Sequence, residues 1–235
     1  MAIEFSLLTL GAYLLGSVPA AYLAGRWSRG IDIRQYGDGN VGTTNLMRLT
    51  SKSVAIPVFI FDLGKGALMV WIAQRLGLDT TQQVTVGVAA VIGHNWPVFL
   101  RFNGGRGIFT SLGVISVLVP WIGLIILVIA YSLAPFHQLA VGVFLATIFA
   151  PTAAWFLSRP LGVPDRLPIT LGFLAIFLVV IIRRLTAPRT IFAASVTRGQ
   201  LLVNRLLFDR DVRDRKAWIQ QRPTRETGER LNAEK

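Results

Sequence analysis

Seven apolar runs separated by polar stretches make up most of the chain. They are Phe5 to Ala24, Val54 to Ala73, Val84 to Leu100, Ile108 to Val119, Ile122 to Leu133, Leu139 to Leu157 and Ile169 to Ile182. A helix crossing a hydrocarbon core about 30 Å thick needs roughly 20 apolar residues. The runs at Ile108 and Ile122 fall short of that and read as tilted or broken helices. The pattern predicts an all-α polytopic membrane protein with about seven transmembrane helices. Five crossings is the alternative, if the two short runs form a re-entrant pair. Glu4 precedes the first run with no basic segment before it, so this run reads as a first transmembrane helix and not a cleaved signal peptide.

Composition agrees with the pattern. Of 235 residues, 53% are hydrophobic and 15% charged, where soluble domains carry about a quarter charged. Mean hydropathy is +0.56. The formal net charge is +12, and the basic excess is uneven. From Arg183 to Lys235 there are 13 basic and 6 acidic residues. A basic tail beside an apolar body suits an anionic inner leaflet, and no stacking platform or reader motif points to nucleic acid. The absence of cysteine excludes disulfides and thiolate metal sites.

Loop charges give an orientation. Arg26, Arg29, Arg34, Arg48 and Lys52 lie in the first loop, Arg101 and Arg106 in the third, and Arg183, Arg184 and Arg189 after the last run. Seven crossings put all of these on one side, which the positive-inside rule makes cytoplasmic. The chain then divides into a transmembrane unit, residues 1–190, and a basic cytoplasmic tail, 191–235. Within the tail, Leu202, Leu206, Val212 and Trp218 are spaced for an amphipathic surface helix. From Gln220 onward the composition predicts disorder.

Two polar stretches share the cytoplasmic side in this topology. Gly37 to Arg48 reads GDGNVGTTNLMR, and Asn103 to Gly107 reads NGGRG. Most polar loops between spans are only connectors. Here glycines expose backbone N–H groups, Asn40, Thr43, Thr44 and Asn45 offer short polar groups, and Arg48 and Arg106 supply guanidiniums that grip phosphate through two bonds. The combination points to an anion site without naming the anion. Asp62 and Lys65 sit three apart inside an apolar run, on one helical face. Charges at such depth cost roughly 2.5–3.5 kcal/mol each, so they need each other, a ligand or a wet cavity. A structural pair and a functional pair remain equally good readings. His94, following Gly93, reads as a packed helix-end histidine, and His137 as a loop residue without a catalytic role. Two histidines are too few for a metal site. No GxSxG elbow or HxxxxD signature supplies an activated nucleophile.

Four segments in fixed order, GSVPAAYLAGR, IDIRQYGDGNVGTTNLMR, FDLGKGALMV and GHNWPVFLRFNGGRGIFTSLGV, resemble the bacterial acyl-phosphate:glycerol-3-phosphate acyltransferases. The resemblance is close over the first half of the chain and looser beyond it. It implies a seven-span inner-membrane enzyme that moves a fatty acyl group from acyl phosphate to the sn-1 hydroxyl of glycerol 3-phosphate, without metal or nucleotide cofactor. It also implies site residues. Asp38, Arg48, His94 and Arg106 become catalytic candidates. Gly37, Gly39, Asn40, Gly42, Thr44, Asn45, Lys65, Gly104, Gly105, Gly107 and Ser132 become substrate-binding candidates.

The chain departs from the family pattern at several of these places. Asp38 stands where serine is usual, Thr43 where alanine is, Arg106 where lysine is, Pro135 where a second serine is, and Ile181 where an asparagine is. An anion beside a phosphate site must pair with an arginine or serve as a base. Two further classes stay open on the residues alone. A lipid-binding scaffold fits the lost serine and asparagine, and a small-anion transporter fits the glycines and charges inside spans.

Overall fold

The computed structural model describes residues 2–163 and 165–219, and its regular elements are all helical. The first apolar run is divided. α1 (Ala2–Ser17) stops where Pro19 lacks an N–H to continue it, and α2 (Ala20–Arg29) begins anew. α2 is two-sided: Ala21 and Gly25 are buried, while Arg26, Trp27 and Arg29 are exposed. After the short α3 (Thr43–Leu49), Ser51 caps α4 (Lys52–Arg75), its Oγ accepting the Val54 N–H at 3.4 Å. A capping box of Asp79 and Gln82 starts α5 (Thr80–Asn95). α6 (Ile108–Leu118) and α7 (Pro120–Ser132) meet at Val119, with Pro120 in the first position of α7, where its missing N–H costs nothing. α8 (Leu139–Leu157) and α9 (Arg166–Leu185) complete the bundle.

Among the described residues, four stretches are long and apolar enough to cross a membrane: Ala2–Arg29, α4, α8 and α9. The other expected crossings correspond to shorter helices of 16 (α5), 11 (α6) and 13 (α7) residues. Leu167, Leu171, Leu174, Leu178 and Ile182 form an exposed stripe along α9, the face a lipid-contacting helix presents.

Small residues bring the helices together. Gly16 of α1 rests on the Ala90 carbonyl of α5, and Gly93 of α5 on the Tyr13 carbonyl of α1. Gly66 of α4 meets the Thr110 carbonyl of α6, and Gly113 of α6 meets the Leu63 carbonyl of α4. With no hydrophobic drive between helices in lipid, such backbone contact is what holds them. A larger side chain at Gly66 collides with backbone, which cannot rotate away. Gly66→Leu is expected to lose roughly 1–3 kcal/mol or more through overpacking, seen as a lower thermal midpoint in detergent. Gly64 of the same helix has open space around it, so Gly64→Ala is expected to leave the midpoint unchanged or raise it.

Residues 191–219 fold back onto the bundle. A capping box of Thr197 and Gln200 starts α10 (Arg198–Phe208), which docks on the ends of α8 and α9, and α11 (Arg215–Ile219) follows. The expected single surface helix is therefore two helices, and α10 packs through Leu201, Asn204 and Arg205 while Leu202, expected on the apolar face, stays exposed. The expected disorder from Gln220 lies outside the described residues.

Candidate active site

The first glycine-rich loop is built around one side chain. Asn45, fully buried, directs its amide NH2 at the carbonyls of Ile33 (3.0 Å), Tyr36 (3.1 Å) and Asn40 (3.1 Å), and its Oδ1 accepts the Asp38 N–H at 3.3 Å. Gly37 adopts a left-handed φ of 60°, and a Cβ there would strike Asn45 Oδ1. Ile33, Val41, Leu46, Val58 and Leu100 form the apolar floor beneath the loop. Asn45 thus shapes the loop from inside.

The loop presents Asp38 and Arg48 as a pair, with Oδ2 3.0 Å from Nη1. Asp38 Oδ1 also accepts the Asn40 N–H at 3.1 Å. Burial pushes the Asp38 carboxyl above the usual carboxylate range, and Arg48 and the Asn40 N–H offset only part of that.

The second loop is held from the far end of the chain. Arg183, at the last turn of α9, donates to the carbonyls of Gly105 (3.1 Å) and Gly104 (2.7 Å) and to Asn103 Oδ1 (2.9 Å). His94 lies against Gly105, where a Cβ would meet its Nε2. His94 Nδ1 faces Asp62 Oδ1 at 3.5 Å, and the same carboxylate oxygen lies 2.9 Å from Lys65 Nζ. Lys65 also donates to the Gly16 (2.9 Å) and Val18 (3.4 Å) carbonyls, which the break in the first run leaves without helical partners.

Both loops open on one cavity of about 520 Å3. Its mouth carries Asp38, Arg48, Arg106, Asp209, Arg210 and Arg215. Its depth is apolar, lined by Leu112, Ile115, Ile126, Val143, Ala146, Ala150, Phe173 and Ile176. Arg106 donates from Nε to Asp209 Oδ1 at 2.7 Å. Asn40 Oδ1, Thr43 Oγ1 and Ser111 Oγ are buried polar atoms of lining residues with no hydrogen-bond partner among the described residues. Buried polar atoms are costly without partners, so unpartnered groups beside a cavity are candidates for ligand contact.

The structure thus brings Asp38, Asn40, Gly42, Thr44, Arg48, His94, Arg106 and Gly107 to the cavity wall. Gly37, Gly39, Asn45, Gly104 and Gly105 stand behind that wall and shape it. Lys65 does not line the main cavity. Ser132 is exposed, and its hydroxyl donates to Ile129 O at 2.8 Å. His137, read as a plain loop residue, stands at the wall together with Ser111 and the tail residues Asp209 and Arg210. The segment FTSLGV held a signal for Ser111. Nothing in the local sequence marked the tail.

A cavity cationic at its mouth and hydrocarbon-lined within, in a helical bundle with four membrane-length stretches among the described residues, fits an amphiphile with an anionic head. Over residues 6–194 the chain matches, and it belongs to, the glycerol-3-phosphate acyltransferase family. It is 45% identical over 219 residues to glycerol-3-phosphate acyltransferase 5 of Dehalococcoides mccartyi, covering 93% of this chain and 94% of that one. It is 53% identical to a glycerol-3-phosphate acyltransferase of a Synechococcus strain over 107 residues, 46% of this chain and 53% of the relative. The fold is similar to crystal structures of PlsY (YgiH), an integral membrane glycerol 3-phosphate acyltransferase. The glycerol 3-phosphate form aligns with a TM-score of 0.67 at 28% identity, covering 86% of this chain and 94% of that one. The lysophosphatidic acid form gives 0.70 at 29% identity, covering 93% and 100%.

Proposed function

We propose that this protein transfers a fatty acyl group from acyl phosphate to the sn-1 hydroxyl of glycerol 3-phosphate, releasing lysophosphatidic acid and inorganic phosphate. The observation that carries this reading is a cavity with a cationic mouth and an apolar depth, which matches a donor made of a hydrocarbon chain and a phosphate. The acceptor oxygen forms a new bond to the acyl carbon, the bond from that carbon to the phosphate oxygen breaks, and the hydroxyl proton leaves for a base. Arg48 and Arg106 bind phosphate oxygens and stabilise the departing phosphate. Holding hydroxyl and carbonyl together supplies much of the rate. The basic loops around the mouth support placing this face in the cytoplasm of a bacterial inner membrane. A scaffold or an anion transporter has less support, given the family and the apolar depth behind the anion-binding mouth.

Asp38 is the base in this reading. Its raised carboxyl supports proton uptake better than an ordinary aspartate does. The first measurement is phosphate release by purified protein, which should require both substrates and disappear in Arg48→Ala. Asp38→Asn and Asp38→Ser should then each lose roughly 10²–10⁴-fold in kcat, the usual contribution of a positioned base. Protonated Asp38 cannot accept a proton, so the parent rate should climb with pH through the raised Asp38 ionisation, and Asp38→Ser should lack that limb. A serine variant as active as the parent would sink the base role.

A further inference from the structure

Residues 186–219, the described segment after α9, are clamped to the mouth of the cavity. Arg205 and Asp211 form a buried ion pair, Nε to Oδ1 at 2.7 Å. Arg205 also donates to the carbonyls of Leu185 (2.8 Å), the last residue of α9, and of Pro188 (3.3 Å) just beyond it. Asp211 Oδ2 accepts from the backbone N–H (2.9 Å) and hydroxyl (2.8 Å) of Thr190, and Asn204 Nδ2 donates to Asp211 O at 3.1 Å. From the other side, Arg184 donates to Leu206 O at 2.9 Å. The turn 209–211 is therefore fixed by partners on both flanks, which is what preorganised binding groups require.

Between those anchors sits Arg210. It is only 9% exposed, it lines the cavity, and its Nη1 is buried with no hydrogen-bond partner among the described residues. Buried arginines are ordinarily paired. Here the neighbouring charges largely repel it. Burial first, then Arg215 and Arg48, hold its guanidinium below the usual arginine range, with Asp209 and Asp214 opposing. Counting the described lining residues, five arginines (48, 106, 184, 210 and 215) face three aspartates (38, 62 and 209). Asp62 is already neutralised by Lys65 behind the wall, so among the lining residues Asp38 and Asp209 are the carboxylates left to offset the five guanidiniums. A buried guanidinium with an open donor, in an excess of like charge, is a site prepared for an anion.

We propose that Arg210, delivered by the C-terminal segment, is a phosphate-binding residue of the acyl-transfer site. It supplements the arginines of the two glycine-rich stretches, and its ligand is the phosphate of either acyl phosphate or glycerol 3-phosphate. This rests on the acyl-transfer reading above.

The test is steady-state phosphate release by the full-length parent, Arg210→Ala and Arg210→Lys, titrating each substrate at saturation of the other. Losing a charge-assisted hydrogen bond should raise KM for one substrate about 10- to 100-fold, with a smaller change in kcat. Arg210→Lys should recover part of the loss. A rise confined to glycerol 3-phosphate identifies the acceptor phosphate, and one confined to acyl phosphate the donor phosphate. If both KM values stay at the parent level while the thermal midpoint matches the parent, the proposal is overturned. It is equally overturned if Arg210→Ala is faster than the parent, which would make the segment an inhibitory plug. If the parent shows no acceptor-dependent release, the acyl-transfer reading fails instead. Stabilisation by inorganic phosphate then decides for Arg210: a rise in the parent midpoint that Arg210→Ala lacks upholds phosphate binding, and equal rises overturn it.

Discussion

Lys65→Met should cost the bundle roughly 3–5 kcal/mol, the usual loss when one member of a buried ion pair is removed. Lys65 and Asp62 have side chains 1% and 3% exposed, and the substitution leaves the Asp62 carboxylate with only His94 nearby. It also removes the Lys65 donor from the Gly16 carbonyl at the break between α1 and α2, and leaves the Val18 carbonyl with the Ala20 N–H. Thermal unfolding in detergent should show the drop. Replacing both charges, as in Asp62→Leu/Lys65→Met, should regain much of it, because an apolar pair avoids the desolvation cost altogether. The double variant should nevertheless stay poorly active, since Asp62 faces His94 Nδ1 and its loss frees the imidazole to turn. A single variant as stable as the parent would show that the pair is not structural.

The second large effect belongs to Arg205. Arg205→Ala leaves Asp211 buried without its cation, again roughly 3–5 kcal/mol, but the loss is local. α10 docks mainly on the ends of α8 and α9, with Asp209 at its end also held by Arg106, so the expected result is release of the segment with the bundle intact. Limited proteolysis should cut the variant between Thr186 and Val196 far faster than the parent, while the thermal midpoint of the bundle changes little. KM for the phosphate substrate should move as it does in Arg210→Ala, because the same guanidinium has been withdrawn. Unchanged proteolysis in Arg205→Ala would mean that other contacts, such as Thr190 with Asp211, suffice to hold the turn.

The two cases separate what a sequence carries from what only a fold assembles. Asp62 and Lys65 are three residues apart inside an apolar run, so helical geometry alone brings them together. The glycine-rich loops were likewise legible, because glycines, short polar side chains and an arginine in a row have few other uses between apolar helices. The interior role of Asn45 was not, since an asparagine that knits a loop reads the same as one that binds a ligand. Ser132 lies one helical position off the cavity-facing residues Ala130 and Tyr131, a difference of angle that spacing does not resolve. Pro19 did appear in the first run, yet the run remained apolar across it, and hydropathy averages over such a break. The tail was the hardest. Leu202, Leu206, Val212 and Trp218 gave an amphipathic pattern, but a membrane surface and a protein surface attract the same pattern. Only the pairing of Arg205 with Asp211 and Leu185 decides between them, and that pairing is tertiary.

The Arg106–Asp209 contact has a consequence for turnover. Arg106 is 8% exposed, and a guanidinium at such depth holds its anion tightly if the alternative is to face the cavity alone. Asp209 removes that alternative. If Arg106 binds phosphate as proposed, the tethered carboxylate takes its place as phosphate departs, and ligand release becomes an exchange of one anion for another and not the creation of a bare charge. The same exchange would weaken phosphate binding and shorten the time for which product phosphate stays bound.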